Sequence, residues 1–423
     1  MVKIEKKHIF IIIASILSLS ILMFFIVKRK SDDSYIKIGI LMPLTKANAQ
    51  FGINTKNGID MYIDEINNQG GINGKKIKCI EFDDEGDPAK AVSGYEFLKD
   101  KGVSAVITGA SSDTSLAVVE EAHKDNIPVM VTTASADGIT YNKENNKIFQ
   151  NVFRIGFTNS FQGEIMAKFA QNKGAKNIAV LYSAENDYSS GLKDSFVNEC
   201  NNLGLNTSVI ENFSVNSVDF QAQLSNIKNK NPDLIFVPSY YEIDGLIVQQ
   251  ARNLGISCPI VGTDGWSGVT STTSDVSSLN NCFYCSSFSY DDPSESSKKF
   301  SEEYEKKFGQ NPNMLSAGGY DAAKVLISSV GLSLEKNLKI NSDDFRKDII
   351  ENLKNTNIDC IAGNITFDKY HNPKKQAIIV QIKDGKEKFY QKFWKKFEFS
   401  HLFLDNLNYS WYYVPNFMSG RGR

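Results

Sequence analysis

Two short apolar runs between Val103 and Thr140 constrain this chain more than any other stretch. Val106-Ile107 ends in Thr108-Gly109-Ala110-Ser111-Ser112, and the run from Ile127 to Val131 ends in Thr132-Thr133-Ala134-Ser135-Ala136-Asp137. Between them Leu116, Val118, Val119 and Ala122 recur at helical spacing, so the stretch reads strand, turn, helix, strand, turn. Ser112 stands where an N-cap belongs, with Asp113 in the first turn of the helix. Two neighbouring parallel strands then finish side by side in small, hydroxyl-bearing turns. Ligands of open α/β sheets bind beyond the carboxyl ends of the strands. The unpartnered N–H groups of a helix start attract anions, a carboxylate as readily as a phosphate. One such turn is explained equally by Ser and Thr capping helices; two on adjacent strands point to a site.

The same alternation extends both ways. Ile36–Met42 reads as a buried first strand, followed by Pro43-Leu44-Thr45 and Gln50-Phe51-Gly52. A helix with Ile59, Tyr62, Ile63 and Ile66 inward closes at Gly70-Gly71. Strand Lys78–Phe82, an acidic turn from Asp83 to Pro88 and helix Ala89–Leu98 lead into the central stretch. From Phe153 the pattern restarts. Helices are expected at Phe161–Asn172, Leu192–Leu203, Phe220–Ile227 and Ile243–Leu254, with strands at Ile178–Tyr182, Thr207–Ile210, Leu234–Val237 and Pro259–Val261. Turns at Asn186–Gly191, Pro238–Tyr241 and Gly262–Trp266 again carry aromatic, hydroxyl and acidic residues. Beyond Pro293 come helices Lys298–Phe308, Ala317–Leu332 and Asp343–Leu353, then strands Gly363–Phe367 and Gln376–Ile382 that return across both halves. A chain of 423 residues exceeds one core. The expected fold class is α/β, two doubly wound parallel-sheet lobes joined by a multi-strand hinge.

Residues Ile9–Val27 are apolar or small without a break, roughly 19 residues and enough to span a hydrocarbon core as a helix. Cleavage after Ser20 would leave ILMFFIV exposed, so the segment is read as a transmembrane signal anchor. Basic residues flank both ends (Lys3, Lys6, Lys7; Lys28, Arg29, Lys30) and give no orientation. The organisation expected is a basic flank 1–8, an anchor 9–27 and a tether 28–34. Lobe 1 then comprises 35–153 and 287–365, lobe 2 comprises 154–286 and 366–392, and 393–423 is an aromatic-rich tail of open role. A net charge of −2 offers no basic footprint for nucleic acid. Four histidines and the absence of G-x-S-x-G or HExxH leave no enzyme motif, and no cofactor or metal is expected. Cys282-x-x-Cys285 has metal spacing but no second pair. In a strand, residues three apart face opposite ways, so core thiols are expected.

Several stretches together resemble the leucine/isoleucine/valine-type binding proteins of ABC importers, the type I periplasmic binding fold. They are IKIGILMPLTKANAQFGINTKNGIDMYIDEINNQGGINGKKIK, DDEGDPAKAV, VITGASS, PVMVTTASAD, FRIGFTNSFQG and GTDGW, spread from Ile36 to Lys386. The resemblance implies an amino acid held between lobes, its carboxylate on Ser112 and on the turn Ala134-Ser135-Ala136. It implies an ammonium held by the Ala134 carbonyl, Tyr240 and Asp264, with Tyr188 closing over the ligand and Phe51 at the mouth. A threonine common in the family is Ala136 here, so one donor is missing or supplied by Ser135. The acidic residue is Asp264 rather than glutamate, and the family's first-lobe disulfide falls on Gly86 and Ser111. Asp264 is also readable as a turn residue, Tyr240, Tyr241 and Phe51 as packing, and Trp266 as pocket wall or surface aromatic. The implied role is a monomeric, membrane-tethered, extracytoplasmic protein delivering a small amino acid to ABC permease subunits. The alternative is a ligand-sensing receptor domain of the same fold.

Overall fold

The computed structural model describes residues 35–393 apart from Ala47. The expected anchor at 9–27 and the tail beyond Phe393 lie outside the described residues. Among those described, no helix is long and apolar enough to cross a membrane.

The first sheet is built from β1 (Tyr35–Met42), β2 (Lys76–Asp83), β3 (Ala105–Thr108), β4 (Val129–Val131) and β5 (Val152–Arg154). Its order is β2-β1-β3-β4-β5, every pair parallel. Ile38, Ile40, Leu41 and Met42 are all buried, as expected of a parallel strand covered on both faces. Helices α1 (Ala49–Asn68), α2 (Pro88–Asp100) and α3 (Ser112–Asp125) are its crossovers. The register Thr108↔Val131 puts the two hydroxyl-rich turns side by side. Gly109 makes the first of them possible. Its φ is +110°, and a Cβ there would meet Val131 Cγ1 at 2.6 Å and the Thr132 nitrogen at 2.7 Å. The N-cap of α3 is Ser111, in extended conformation, not Ser112 as the sequence suggested. Ser112 is the first helical residue.

After β5 the chain crosses into α4 (Asn159–Asn172) and a second sheet. Its strands are β6 (Asn177–Ser183), β7 (Asn206–Phe213), β8 (Leu234–Phe236), β9 (Ile260–Gly262) and β10 (Cys282–Ser286), with helices α5 (Asp187–Asn202), α6 (Gln221–Asn229) and α7 (Tyr241–Asn253) between the first four. The chain then returns through α8 (Glu295–Phe308), α9 (Met314–Glu335) and α10 (Asp343–Lys354). Helix α9 packs on α1 of the first lobe. It starts three residues before the expected Ala317, because Asn313 accepts from the Leu315 and Ser316 N–H groups while Ser316 Oγ accepts from Asn313 N, a capping box.

Two expectations need correction. Residues Gly363–Ile365 do not join either large sheet; they pair with Ile358–Cys360 in a hairpin of their own (β11 and β12). The second sheet is not wholly parallel. The closing strands β13 (Ala377–Lys383) and β14 (Lys386–Phe393) add antiparallel at its edge, giving the order β14-β13-β10-β9-β8-β6-β7. A tight turn at Asp384-Gly385 joins them, which only an antiparallel pair allows. Phe393, the first residue of the expected tail, is buried at the end of β14. The chain thus passes between lobes three times, after β5, after β10 and before β13.

All six cysteines are free thiols. Cys282 and Cys285 sit in different hydrophobic clusters on the two faces of β10, as period-two geometry requires. Trp266 is neither pocket wall nor surface. It is fully buried in the second lobe, its Nε1 donating to the Val237 carbonyl at 2.8 Å.

Candidate functional site

A narrow cavity lies between the carboxyl ends of the two sheets. The first lobe contributes Phe51, Ala110, Ser111, Ser112, Thr133, Ala134 and Ser135; the second contributes Tyr188, Tyr240, Asp264 and Gly265. Met314 and Leu315, at the start of α9, complete the wall. Seven of the eight residues singled out from the sequence therefore line one space. The eighth, Ala136, lies behind it.

The first-lobe side is a donor surface. Ser112 opens α3, a 14-residue helix whose first N–H groups have no intrahelical acceptor. Its Oγ accepts from the Ala136 N–H at 3.1 Å, so its own proton remains to be donated. Ser111 Oγ pairs with Thr114 Oγ1 at 2.8 Å. Ser135 cannot replace the threonine hydroxyl of the family as a carboxylate donor: its single proton goes to Asn159 Oδ1 at 2.7 Å. That bond ties the turn to α4 instead. The Ala134 carbonyl accepts from Arg154 Nη1 at 3.3 Å, which uses one of its two lone pairs.

The second-lobe side is an acceptor surface. Asp264 opens the turn after β9 and is buried. Its Oδ1 accepts from Tyr188 Oη at 2.7 Å, whereas Oδ2 is buried without a hydrogen bond of normal geometry among the described residues. A buried carboxylate oxygen without a well-placed donor is expensive, so a cationic donor in the cavity would be strongly favoured. Burial raises the Asp264 carboxyl to about 6; hydrogen bonds from Tyr188 and Gln162 and the charge of Lys375 pull the other way. Lys375 is itself buried and lowered to about 8 by that burial. Tyr188 Oη also accepts from Gly265 N at 2.7 Å, and a Cβ on Gly265 would stand 2.5 Å from that oxygen. The glycine is thus fixed by close approach rather than by its φ.

Aromatic rings seal the mouth. Tyr188 and Tyr240 stack at 4.5 Å and 11°, and Phe51 of the other lobe stacks on Tyr241 at 5.1 Å and meets Tyr240 edge-on at 5.8 Å. Tyr241, whose sequence context favoured plain packing, is therefore part of the seal. The Tyr240 hydroxyl is buried without a hydrogen bond of normal geometry among the described residues, and burial pushes it well above its ordinary value. Carboxylates also bridge the cleft: Glu242 accepts from Asn48 N at 3.0 Å and Asp113 from Asp187 N at 3.4 Å. The lobes are closed on each other.

Sequence reasoning missed Ala110, Ser111, Thr133, Gly265, Met314 and Leu315 as lining residues. The Gly109-Ala110 and Thr132-Thr133 pairs lie inside the turns already recognised. Helix α9 was expected from Ala317; only the capping pattern Asn313-x-x-Ser316 could have signalled its start at Met314, and nothing in it says which lobe that start would reach.

A family model described as periplasmic binding protein matches residues 35–387. The chain belongs to the periplasmic binding protein family. Within this family it is similar to the Leu/Ile/Val-binding protein BraC3 of Rhizobium johnstonii, 29% identical over 233 residues, which are 55% of this chain and 62% of that protein. The leucine-, isoleucine-, valine-, threonine-, and alanine-binding protein of Pseudomonas aeruginosa is 26% identical over 231 residues, 54% of this chain and 60% of that one. These alignments span about three fifths of either relative. Among solved structures, the leucine binding protein LivK of Thermotoga maritima superposes with a TM-score of 0.76 at 27% identity, covering 85% of this chain and 99% of LivK. The substrate binding protein LivJ of Streptococcus pneumoniae, in complex with isoleucine, gives 0.75 at 29% identity, covering 84% and 97%. These relatives are binding proteins, not enzymes, and the family is extracytoplasmic.

Proposed function

We propose that this periplasmic binding protein holds a small amino acid, of branched-chain type or similar, between its lobes and presents it to the permease of an ABC importer. The observation that carries the reading is the polarity of the cavity. One wall offers the α3 amides and the Ser112 hydroxyl, and the facing wall offers Oδ2 of Asp264, which has no hydrogen bond of normal geometry among the described residues. A zwitterion has one pole for each. Met314, Leu315 and Phe51 supply apolar surface for its side chain. Because each lobe carries half of the site, a ligand touching both stabilises the closed form, and only such differential affinity can shift that equilibrium.

On this reading the lobes comprise 35–153 with 287–365, and 154–286 with 366–392. Segment 9–27 tethers the protein to the membrane on its outer face. No reaction is performed: closure is the output, and the closed surface is what a permease recognises. The names of BraC3 and of LivJ with its isoleucine support an aliphatic amino acid. The test is a thermal-shift screen of the full chain, in detergent, against the common amino acids. A ligand of the folded form at a hundred times its Kd adds about 2.7 kcal/mol to stability. One or more aliphatic amino acids should raise Tm by several degrees; no shift with any would remove the amino-acid assignment.

A further inference from the structure

Arg154 ends β5 at the first passage between lobes, and it is fully buried. Among the described residues it makes no ion pair with a carboxylate, an unusual state for a buried guanidinium. Its fork is spent on neutral oxygens instead. Nη1 donates to the carbonyls of Ala136 at 2.7 Å and Ala134 at 3.3 Å. Nε and Nη2 both donate to Asn372 Oδ1, at 3.0 and 2.7 Å. Asn372 belongs to the third passage between lobes, which is also held against β5 through His371, whose Nδ1 lies 3.0 Å from the Val152 carbonyl. The Arg154 N–H donates to the His371 carbonyl at 3.1 Å, and the His371 ring stacks on Phe153 at 4.1 Å and 9°.

The Ala136 residue links this hinge arrangement to the cavity. Its carbonyl is held by Arg154, while its N–H is the donor to Ser112 Oγ. We propose that Arg154 is a positioning residue: through Ala136 it sets the Ser112 hydroxyl with its proton free for a ligand carboxylate, and through Asn372 it ties that setting to the hinge. This rests on the amino-acid reading of the site. It explains why Ala136 matters to the site without lining it. It also places a positive charge behind the wall that receives an anionic group, with Asp137, Asp368 and Asp264 near enough to favour that charge but none of them paired with it among the described residues. Rotation of the third passage displaces Asn372, the guanidinium follows, and the turn that presents Ser112 shifts with it. Opening of the lobes and loss of carboxylate affinity are then one event.

The test uses amide hydrogen exchange and calorimetric titration with L-leucine on the full chain in detergent. In the unliganded protein, Arg154→Met and Asn372→Ala should each speed exchange across residues 133–137 about tenfold while β6 and β7 exchange as in wild type. Each should weaken L-leucine binding at least tenfold, and the double variant should lose little more than either alone, because both break one connection. Arg154→Lys retains charge but not the fork, so it should recover only part of the affinity. Unchanged exchange at 133–137 in Asn372→Ala or Arg154→Lys, the milder variants, overturns the proposal even should Arg154→Met fail to fold. Independent, additive losses overturn it too. If wild type binds no amino acid, the functional reading fails, while the exchange result on the unliganded protein still decides the coupling.

Discussion

Tyr188 Oη donates to Asp264 Oδ1 at 2.7 Å and leaves Oδ2 of the same carboxylate buried without a hydrogen bond of normal geometry among the described residues. One bond thus orients the acid, and the other oxygen is the feature most ready to receive a cation. Tyr188 is consequently part of the acceptor wall as well as a ring over the cavity.

Removing that acceptor should abolish binding. Asp264→Asn keeps the shape and the Tyr188 contact but cannot balance an ammonium in a buried site. A loss of at least a hundredfold in affinity for whichever amino acid shifts wild-type Tm is expected, equivalent to roughly 3 kcal/mol or more for an uncompensated buried charge. Apo Tm should stay at or above wild type, since a costly buried charge has been removed. Calorimetry with an unchanged Kd would contradict the ammonium role.

The pH dependence follows from the raised Asp264 carboxyl, about 6 in the folded protein against the ordinary 3.8. Below that value the group is neutral and cannot pair with an ammonium. Affinity should therefore be flat above pH 7 and fall by up to about tenfold per pH unit below 6. For the unliganded protein the sign is opposite. The folded state binds this proton more tightly than the unfolded chain, so its stabilising contribution is present at low pH and lost as pH rises from about 4 through 6. Titrations between pH 4.5 and 8 on wild type and Asp264→Asn separate this group from the other carboxylates, because the variant should lose both trends.

Ser112→Ala removes a hydroxyl that accepts from Ala136 N and whose own proton that bond does not use. The buried N–H is left without that acceptor, so a stability loss of about 1–3 kcal/mol is expected. Affinity should fall in addition, by roughly tenfold or more for a charge-assisted bond. Ser111→Ala, which loses only a contact to Thr114 Oγ1, should leave affinity within about threefold of wild type.

Gly265→Ala tests the close approach at the acceptor wall. The added methyl would stand 2.5 Å from both Tyr188 Oη and the Ser239 carbonyl. Overpacking of this kind costs about 1–3 kcal/mol, and it should displace Tyr188 from Asp264. Reduced Tm together with lost binding is the expected pair; normal affinity in a folded variant would show that Tyr188 does not need this position.

How much of this could be read from residue order alone divides by range. The strand–turn–helix units are local, since apolar periodicity and glycine or serine at element ends act within a few residues. The first sheet and the turns at 109–112 and 132–136 were therefore legible; the ligand roles of Ser112, Tyr188, Tyr240 and Asp264 came from the family resemblance, and the structure brings the four residues to one cavity. At α3 the capping error was one residue; at α9 it was three. Ser111 rather than Ser112 takes the extended cap conformation, and this frees the Ser112 side chain for Ala136.

What sequence could not decide is where distant segments meet. Whether Trp266 faces a cavity or a core depends on Val237, 29 positions away, and it proved to be core. The hydroxyl of Ser135 looks free to any reading of its neighbours, yet Asn159 takes its proton. Met314 and Leu315 reach the cavity only because α9 packs back on α1, and Arg154 meets Asn372 only because the third passage lies against β5. The direction of an isolated side chain follows from local backbone geometry; the partner that claims its hydrogen bond is chosen by contacts between segments 24 to 218 residues apart, which no local pattern encodes.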